Sequence, residues 1–358
     1  MGINQIIMYI MAFGAALGGI DQMLGNKWGY GEKFENGFRL LGPVGLSMAG
    51  IICLAPLLSA GLGGVIRPLC SVLNMDPSIF GSVLAIDMGG YQLALDLAED
   101  PALGRLSAII VSSIFGCTVV FTIPVGLGSI TADDRPYFTK GILLGFAAMP
   151  AAILTGGLML GFGIGQILWN CLPILLLSLV LAIGVITKPD ALMKWFQIYA
   201  QIIKAIATLG LTLAAIQHLT GIVFIRGIPP LLDAMETVSS ICIVMLGSMP
   251  LAELIQRIMN LPFSRIREKT GLNGVTTTAL LLGMVSTAPA LAMIPSMDRR
   301  GKVLCSACLV SYAGLFGAHL AFTMGFEPDM IPALLASKTV GAVLAGAIAM
   351  ITTRNMKE

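Results

Sequence analysis

Hydrophobic residues gather into long blocks along this chain, and polar residues into short gaps between them. Eleven blocks are long enough to consider as membrane-crossing helices, which need about 20 residues. They run approximately over 5–24, 41–65, 77–98, 105–127, 139–163, 165–187, 197–218, 236–258, 274–296, 301–325 and 330–353. The longest polar stretches, 25–38 and 259–273, leave no room for a soluble domain. The pattern predicts an all-α polytopic membrane protein, with 1–358 as a single membrane domain. Two blocks are interrupted near their middles. "SVLAIDMGGYQLALDLAED" (82–100) breaks at Asp87, Met88, Gly89 and Gly90, and "GVTTTALLLGMVSTAPALAMIP" (274–295) breaks at Ser286, Thr287 and Pro289. A break in hydrocarbon frees backbone polar groups, tolerated only where protein or a water-filled cavity receives them.

Charge decides how these two blocks are read. Cytoplasmic loops of membrane proteins carry an excess of Lys and Arg. If all eleven blocks cross, nine loop Lys and Arg fall on one side and ten on the other. If the third and ninth blocks instead enter, turn at their breaks and leave on the same side, the count becomes sixteen against three, with only Arg67, Arg105 and Arg226 on the poorer side. The sequence therefore predicts about nine transmembrane helices plus two re-entrant hairpins, with the N-terminus outside and the C-terminus cytoplasmic. In this arrangement the hairpins enter from opposite sides. Each is followed by a Gly–basic pair and a long helix: Gly104–Arg105 leads to "SIFG" (113–116), and Gly301–Lys302 leads to "SYAG" (311–314). The halves read as inverted repeats, about 1–163 and 197–353, with 165–187 as connector. Broken helices in inverted repeats are a secondary-transporter pattern.

Composition removes other classes. The chain is 56% hydrophobic and only 11% charged, where a soluble domain needs about 25% charged residues. Glycine, at 42 of 358 residues, fits close helix packing in a bundle. The seven cysteines lie mostly in apolar runs, and Cys305 and Cys308, though spaced CxxC, have no second pair, so they read as packing residues rather than metal ligands. No HExxH, Walker or GxSxG motif is present. Neither cofactor nor metal is expected, nor a nucleic-acid partner. The lipid bilayer is the expected surrounding, and a homo-oligomer is compatible with it.

The ionisable residues inside the blocks carry the candidate chemistry, because such groups are costly in the membrane. Asp87 stands at the first hairpin tip, followed by Tyr91 and Gln92. A carboxylate with an aromatic face holds an ammonium; equally, Asp87 fits as the N-cap of "YQLALDLA". Ser286 and Thr287 form the second tip and offer hydroxyls to a substrate, or simply local caps before Pro289. His319 is a mid-block histidine that reads as a site residue or as an interhelical hydrogen-bonding group. Thr118 is its rough counterpart in the first repeat, or else bonds its own helix backbone. Glu236 and Lys338 read as an ion pair or path-lining groups.

The stretches "INQIIMYIM", "AIDMGGYQLA", "VFTIPVGLG", "WFQIYAQ", "IPSMDRRGKV" and "GAHLAF" together resemble the ethanolamine permease family of bacterial ethanolamine-utilisation operons, EutH, over nearly the whole chain. The resemblance implies an inner-membrane protein admitting ethanolamine for catabolism. It carries the family pattern onto Asp87, Met88, Gly89, Gly90, Pro124, Pro289, Asp298, Gly301, Lys302, Gly317, His319 and Lys338. This chain departs from the pattern at Ala318, where the family has an acidic residue before the His, and at Ser286 and Thr287, where it has two amides. The implied substrate is a small cation with one hydroxyl, moved by a facilitator or secondary carrier. The expected binding set is Asp87, Met88, Gly89, Gly90, Tyr91, Gln92, Thr118, Ser286, Thr287 and His319. The alternatives are a cation-coupled symporter of another small polar solute, such as a nucleoside, and an intramembrane enzyme, for which His319 has no obvious nucleophile in its motif.

Overall fold

The computed structural model describes residues 3–84, 90–270 and 272–356. Among these, regular structure is entirely helical. Six helical stretches are long and apolar enough to cross a bilayer: Tyr30–Leu73, Pro101–Ser129, Ala132–Met159, Pro189–Thr220, Leu231–Ile258 and Pro328–Thr352. Ile164–Asn170 and Leu172–Thr187, meeting at 55° beside Pro173, make a seventh if taken as one bent span. Proline accounts for the bend, since it cannot donate to the preceding turn. The block at 5–24 forms the 21-residue helix Ile3–Met23. Exposed Leu176, Leu179, Val180, Ile183 and Ile186 give Leu172–Thr187 an apolar outer face, as a lipid-facing helix requires.

The chain divides into two compact units. One comprises 1–112, 199–253 and 319–331; the other comprises 113–198, 254–318 and 332–358. Each draws on both halves of the sequence and contains one of the interrupted blocks.

In the first unit, block 77–98 is two short helices, Ser78–Leu84 and Tyr91–Leu97. On one continuous helix, residues 81 and 94 would stand about 20 Å apart. Here a Cβ added at Gly81 would lie 2.4 Å from Ala94 Cα, so the legs fold back and only glycine permits their approach. Asp76 closes the base. Its carboxylate accepts the N–H of Ser78 at 2.9 Å and, from the other leg, those of Glu99 at 3.0 Å and Asp100 at 2.8 Å. The block thus begins and ends at one buried carboxylate. Ser82 Oγ donates to Ser107 O at 2.6 Å and Tyr199 Oη to Val83 O at 3.0 Å, fixing the first leg to its neighbours.

In the second unit, block 274–296 is Gly274–Val285 and Thr287–Ala292, parted by extended Ser286 (φ −146°, ψ 128°). Its ends also meet at an aspartate. Thr276 Oγ1 donates to Asp298 Oδ1 at 3.1 Å, while Asp298 Oδ2 accepts Gly301 N–H at 3.3 Å and so caps Arg299–Tyr312. Lys302, one turn along, forms a buried ion pair with Asp134.

The block at 301–325 differs from its reading as one continuous helix. Arg299–Tyr312 stops, residues 313–317 unwind, and Ala318–Phe326 follows. Gly314 at φ +63° makes the turn. The unwound N–H groups are not wasted: Gly314 N–H donates to Gly283 O at 3.1 Å and Phe316 N–H to Met284 O at 2.7 Å. These are carbonyls left over where Gly274–Val285 ends, so the two broken helices satisfy each other. In Pro101–Ser129, which holds the matching "SIFG", the helix stays continuous but widens to i→i+5 winding over Leu106–Gly116 and Thr118–Thr122. Such widening is uncommon at this length and concentrates at functional sites.

Removing a hairpin closure is expected to be costly. Asp76→Ala strands three N–H groups and should lose on the order of 3 kcal/mol. A fluorescence thermal melt in detergent should register this as a lower midpoint; a midpoint equal to the wild type's would mean the closure contributes nothing.

Candidate functional site

In the first unit the helices around the folded-back block converge on a small pocket. Its lining is Tyr91 and Gln92 at the start of Tyr91–Leu97, Phe322 and Phe326 from Ala318–Phe326, Met48 and Ile52 from Leu41–Leu73, and Thr237. It holds about 260 Å³ of empty space, including its open mouth. The helical periods explain these sets: Met48 and Ile52 are one turn apart, as are Phe322 and Phe326, so each pair points from one face.

Three rings dominate. Tyr91 meets Phe322 edge-on at 5.3 Å (75°) and lies tilted to Phe326 at 5.1 Å, while Phe322 and Phe326 stack at 4.5 Å. Behind Tyr91 stands Glu327. Tyr91 Oη donates to Glu327 Oε1 at 3.0 Å, and Arg105 Nη1 lies 3.7 Å from Glu327 Oε2. A phenol that donates to a carboxylate gains negative charge on its ring, which strengthens attraction for a cation over its face. Gln92 Nε2 donates to Asp96 Oδ1 at 2.7 Å, and Arg67 Nη2 to the Asp96 carbonyl at 2.9 Å, so the Gln92 side chain is held in place. The arrangement can take a small organic cation against the rings, with an amide and a hydroxyl beside it. It holds no group pair suited to covalent chemistry among the described residues.

Of the residues singled out from the sequence, Asp87, Met88 and Gly89 lie outside the described residues. Gly90 is the residue before Tyr91–Leu97 and is buried. Tyr91 and Gln92 line the pocket. His319 is buried and shares the Phe322–Phe326 face at i, i+3 and i+7. The rest belong to the second unit. Thr118 Oγ1 is directed at Ile114 O (2.7 Å) and Val310 O (3.1 Å), so it ties its own helix to Arg299–Tyr312. Ser286 is the extended residue between two helices, and Thr287 is buried at the start of the second.

Phe322, Phe326, Thr237 and Glu327 escaped the sequence reading. The first two carry a signal, an aromatic pair one turn apart on the face of His319. Thr237 and Glu327 carry none, since each joins the site only through the fold.

Comparison with known proteins identifies the family. The family model described as "Ethanolamine utilisation protein, EutH" matches residues 3–352. The chain belongs to the EutH family. A Listeria monocytogenes protein named "Probable ethanolamine permease EutH" is 38% identical over 99% of this chain and 96% of its own length. The Bacillus subtilis "Uncharacterized protein YxeR" is 38% identical over 98% and 95%. An Escherichia coli "Probable ethanolamine permease EutH" is 34% identical over 98% and 96%. No solved structure matches. With its apolar helices, this EutH-family chain is a multi-pass membrane protein.

Tyr91→Phe separates the ring from its hydroxyl. It keeps the three-ring contact and leaves Glu327 with Arg105 alone. The expected loss of stability is about 1.5–3 kcal/mol, typical of a hydrogen bond to a charged group, read by the same thermal melt.

Proposed function

We propose that this chain carries ethanolamine across the bacterial cytoplasmic membrane as an intact solute, acting as a permease and not as an enzyme. Ethanolamine is a primary amine and is protonated at neutral pH, as a lysine side chain is. It needs a surface for an ammonium and hydrogen-bonding groups for one hydroxyl. The observation that carries the reading is the pocket of Tyr91, Phe322 and Phe326 backed by Glu327, in a chain whose family relatives are named ethanolamine permeases. Gln92 and Thr237 supply the hydroxyl partners. Asp87 remains the proposed carboxylate for the ammonium, and Ser286, Thr287, Thr118 and His319 further contacts along the route.

The proposed topology is nine crossings and two re-entrant hairpins in two inverted repeats, N-terminus outside and C-terminus cytoplasmic. Two observations support it. The loop charges separate sixteen to three in this arrangement, against nine to ten if all eleven blocks cross, and the two ends of each interrupted block come together beside an aspartate. A crossing segment has its ends about 30 Å apart.

Uptake of labelled ethanolamine into proteoliposomes tests the function. Phe322→Ala should raise the half-saturation concentration about tenfold, the worth of a desolvated cation–π contact of about 1–2 kcal/mol. Uptake no greater than in empty liposomes would overturn the reading. Topology is tested by labelling Leu73→Cys and Glu99→Cys with an impermeant thiol reagent, against a background of seven buried native cysteines. Both should label from outside; labelling from opposite sides would make 77–98 a crossing helix.

A further inference from the structure

Lys338 lies within the second unit, in the apolar helix Ile331–Thr352, and has no exposed surface. Its ammonium reaches three backbone carbonyls: Ser113 O at 2.9 Å, Ala313 O at 2.9 Å and Ser311 O at 3.3 Å. An ammonium has three N–H groups, enough for one to each of these carbonyls. Ser113 opens "SIFG" and Ser311 opens "SYAG", the matching positions of the two halves. Neither helix is a regular α-helix there. Ser113 is in the widened winding of Leu106–Gly116, and Ala313 (φ −44°, ψ 122°) is the first residue past the end of Arg299–Tyr312.

Carbonyls released by interrupted membrane helices are the ligands with which secondary transporters hold a coupling alkali cation. This chain has such a set, contributed by both halves, with its own positive charge at the centre. The hydroxyls of Ser311 and of Ser337, next to Lys338 in sequence, are also fully buried and make no hydrogen bond among the described residues. We propose that Lys338 is a tethered monovalent cation occupying an alkali-ion-type site. Its charge holds the interrupted helix to the widened one, and transport by this chain requires no sodium ion. The second statement rests on the transport reading; the first does not.

The experiment compares wild type, Lys338→Ala, Lys338→Met and Lys338→Arg, purified in choline chloride. Wild type should melt at the same temperature when sodium, potassium or methylammonium replaces choline, and its ethanolamine uptake should be unchanged by that exchange. Lys338→Ala should melt roughly 5 °C or more lower and recover saturably with sodium or methylammonium, but not with added choline at equal ionic strength. Lys338→Met fills the space without charge and should be neither stable nor recoverable. Should Lys338→Ala fail to accumulate, the others decide, with Lys338→Arg accumulating and Lys338→Met not. Lys338→Met as stable as wild type, recovery of Lys338→Ala by choline as well as by sodium, or saturable stabilisation of wild type by sodium would each overturn the proposal. The melting arm uses no ethanolamine, so failure of the transport reading would leave it standing.

Discussion

The structure depends on one constraint: a backbone group freed inside a membrane must find its partner within the protein. Two aspartates meet the first part of it. Asp76 gathers N–H groups from both ends of one folded-back block, and Asp298 joins the start of the other to the cap of the next helix. A carboxylate suits this role because it accepts several hydrogen bonds at once, each stronger for the charge. A neutral side chain would satisfy fewer donors and leave the remainder buried and unpaired, at about 1–3 kcal/mol each.

The same constraint explains the interrupted helix at 313–317. Unwinding there releases donors and acceptors alike. The donors go to the carbonyls at the end of Gly274–Val285, and carbonyls at the other side of the break go to the Lys338 ammonium. Neither solution works alone. Backbone pairing leaves carbonyls over, because a helix end presents several of them, and a lone lysine cannot receive hydrogen bonds. Charge and backbone geometry are thus complementary, and Lys338 is tolerated in hydrocarbon because it meets acceptors that would otherwise be costly to bury.

What could be read from the sequence follows from range. Block lengths, the breaks at Asp87–Gly90 and Ser286 and the charge asymmetry are local or additive, and most helices fall on the predicted blocks; Tyr30–Arg39 and the end of Leu231–Thr270 instead fill the stretches read as polar gaps. The unwinding after Tyr312 was hidden because "SYAGLFGAHLAF" remains as apolar as a helix; only Gly314 and Gly317 hinted at it. Asp76 carries no local signal, because two of its partners lie 23 and 24 residues away. The site divides in the same way. Tyr91 and Gln92 follow a visible break, whereas Thr237 and Glu327 come from distant parts of the chain and reach the pocket only when it folds.

The departure at Ala318 bears on the ammonium differently once burial is known. Where the family pattern has an acidic residue, this chain has a methyl, and that position is exposed while His319 beside it is buried. A carboxylate at 318 would stand on the exposed side of its helix, off the face that His319 shares with Phe322 and Phe326. The rings of Tyr91, Phe322 and Phe326 are largely desolvated, and there a cation–π contact is worth about 2 kcal/mol. Under the proposed function, affinity for a small ammonium falls mainly to the buried groups, with Glu327 acting through its hydrogen bond to Tyr91.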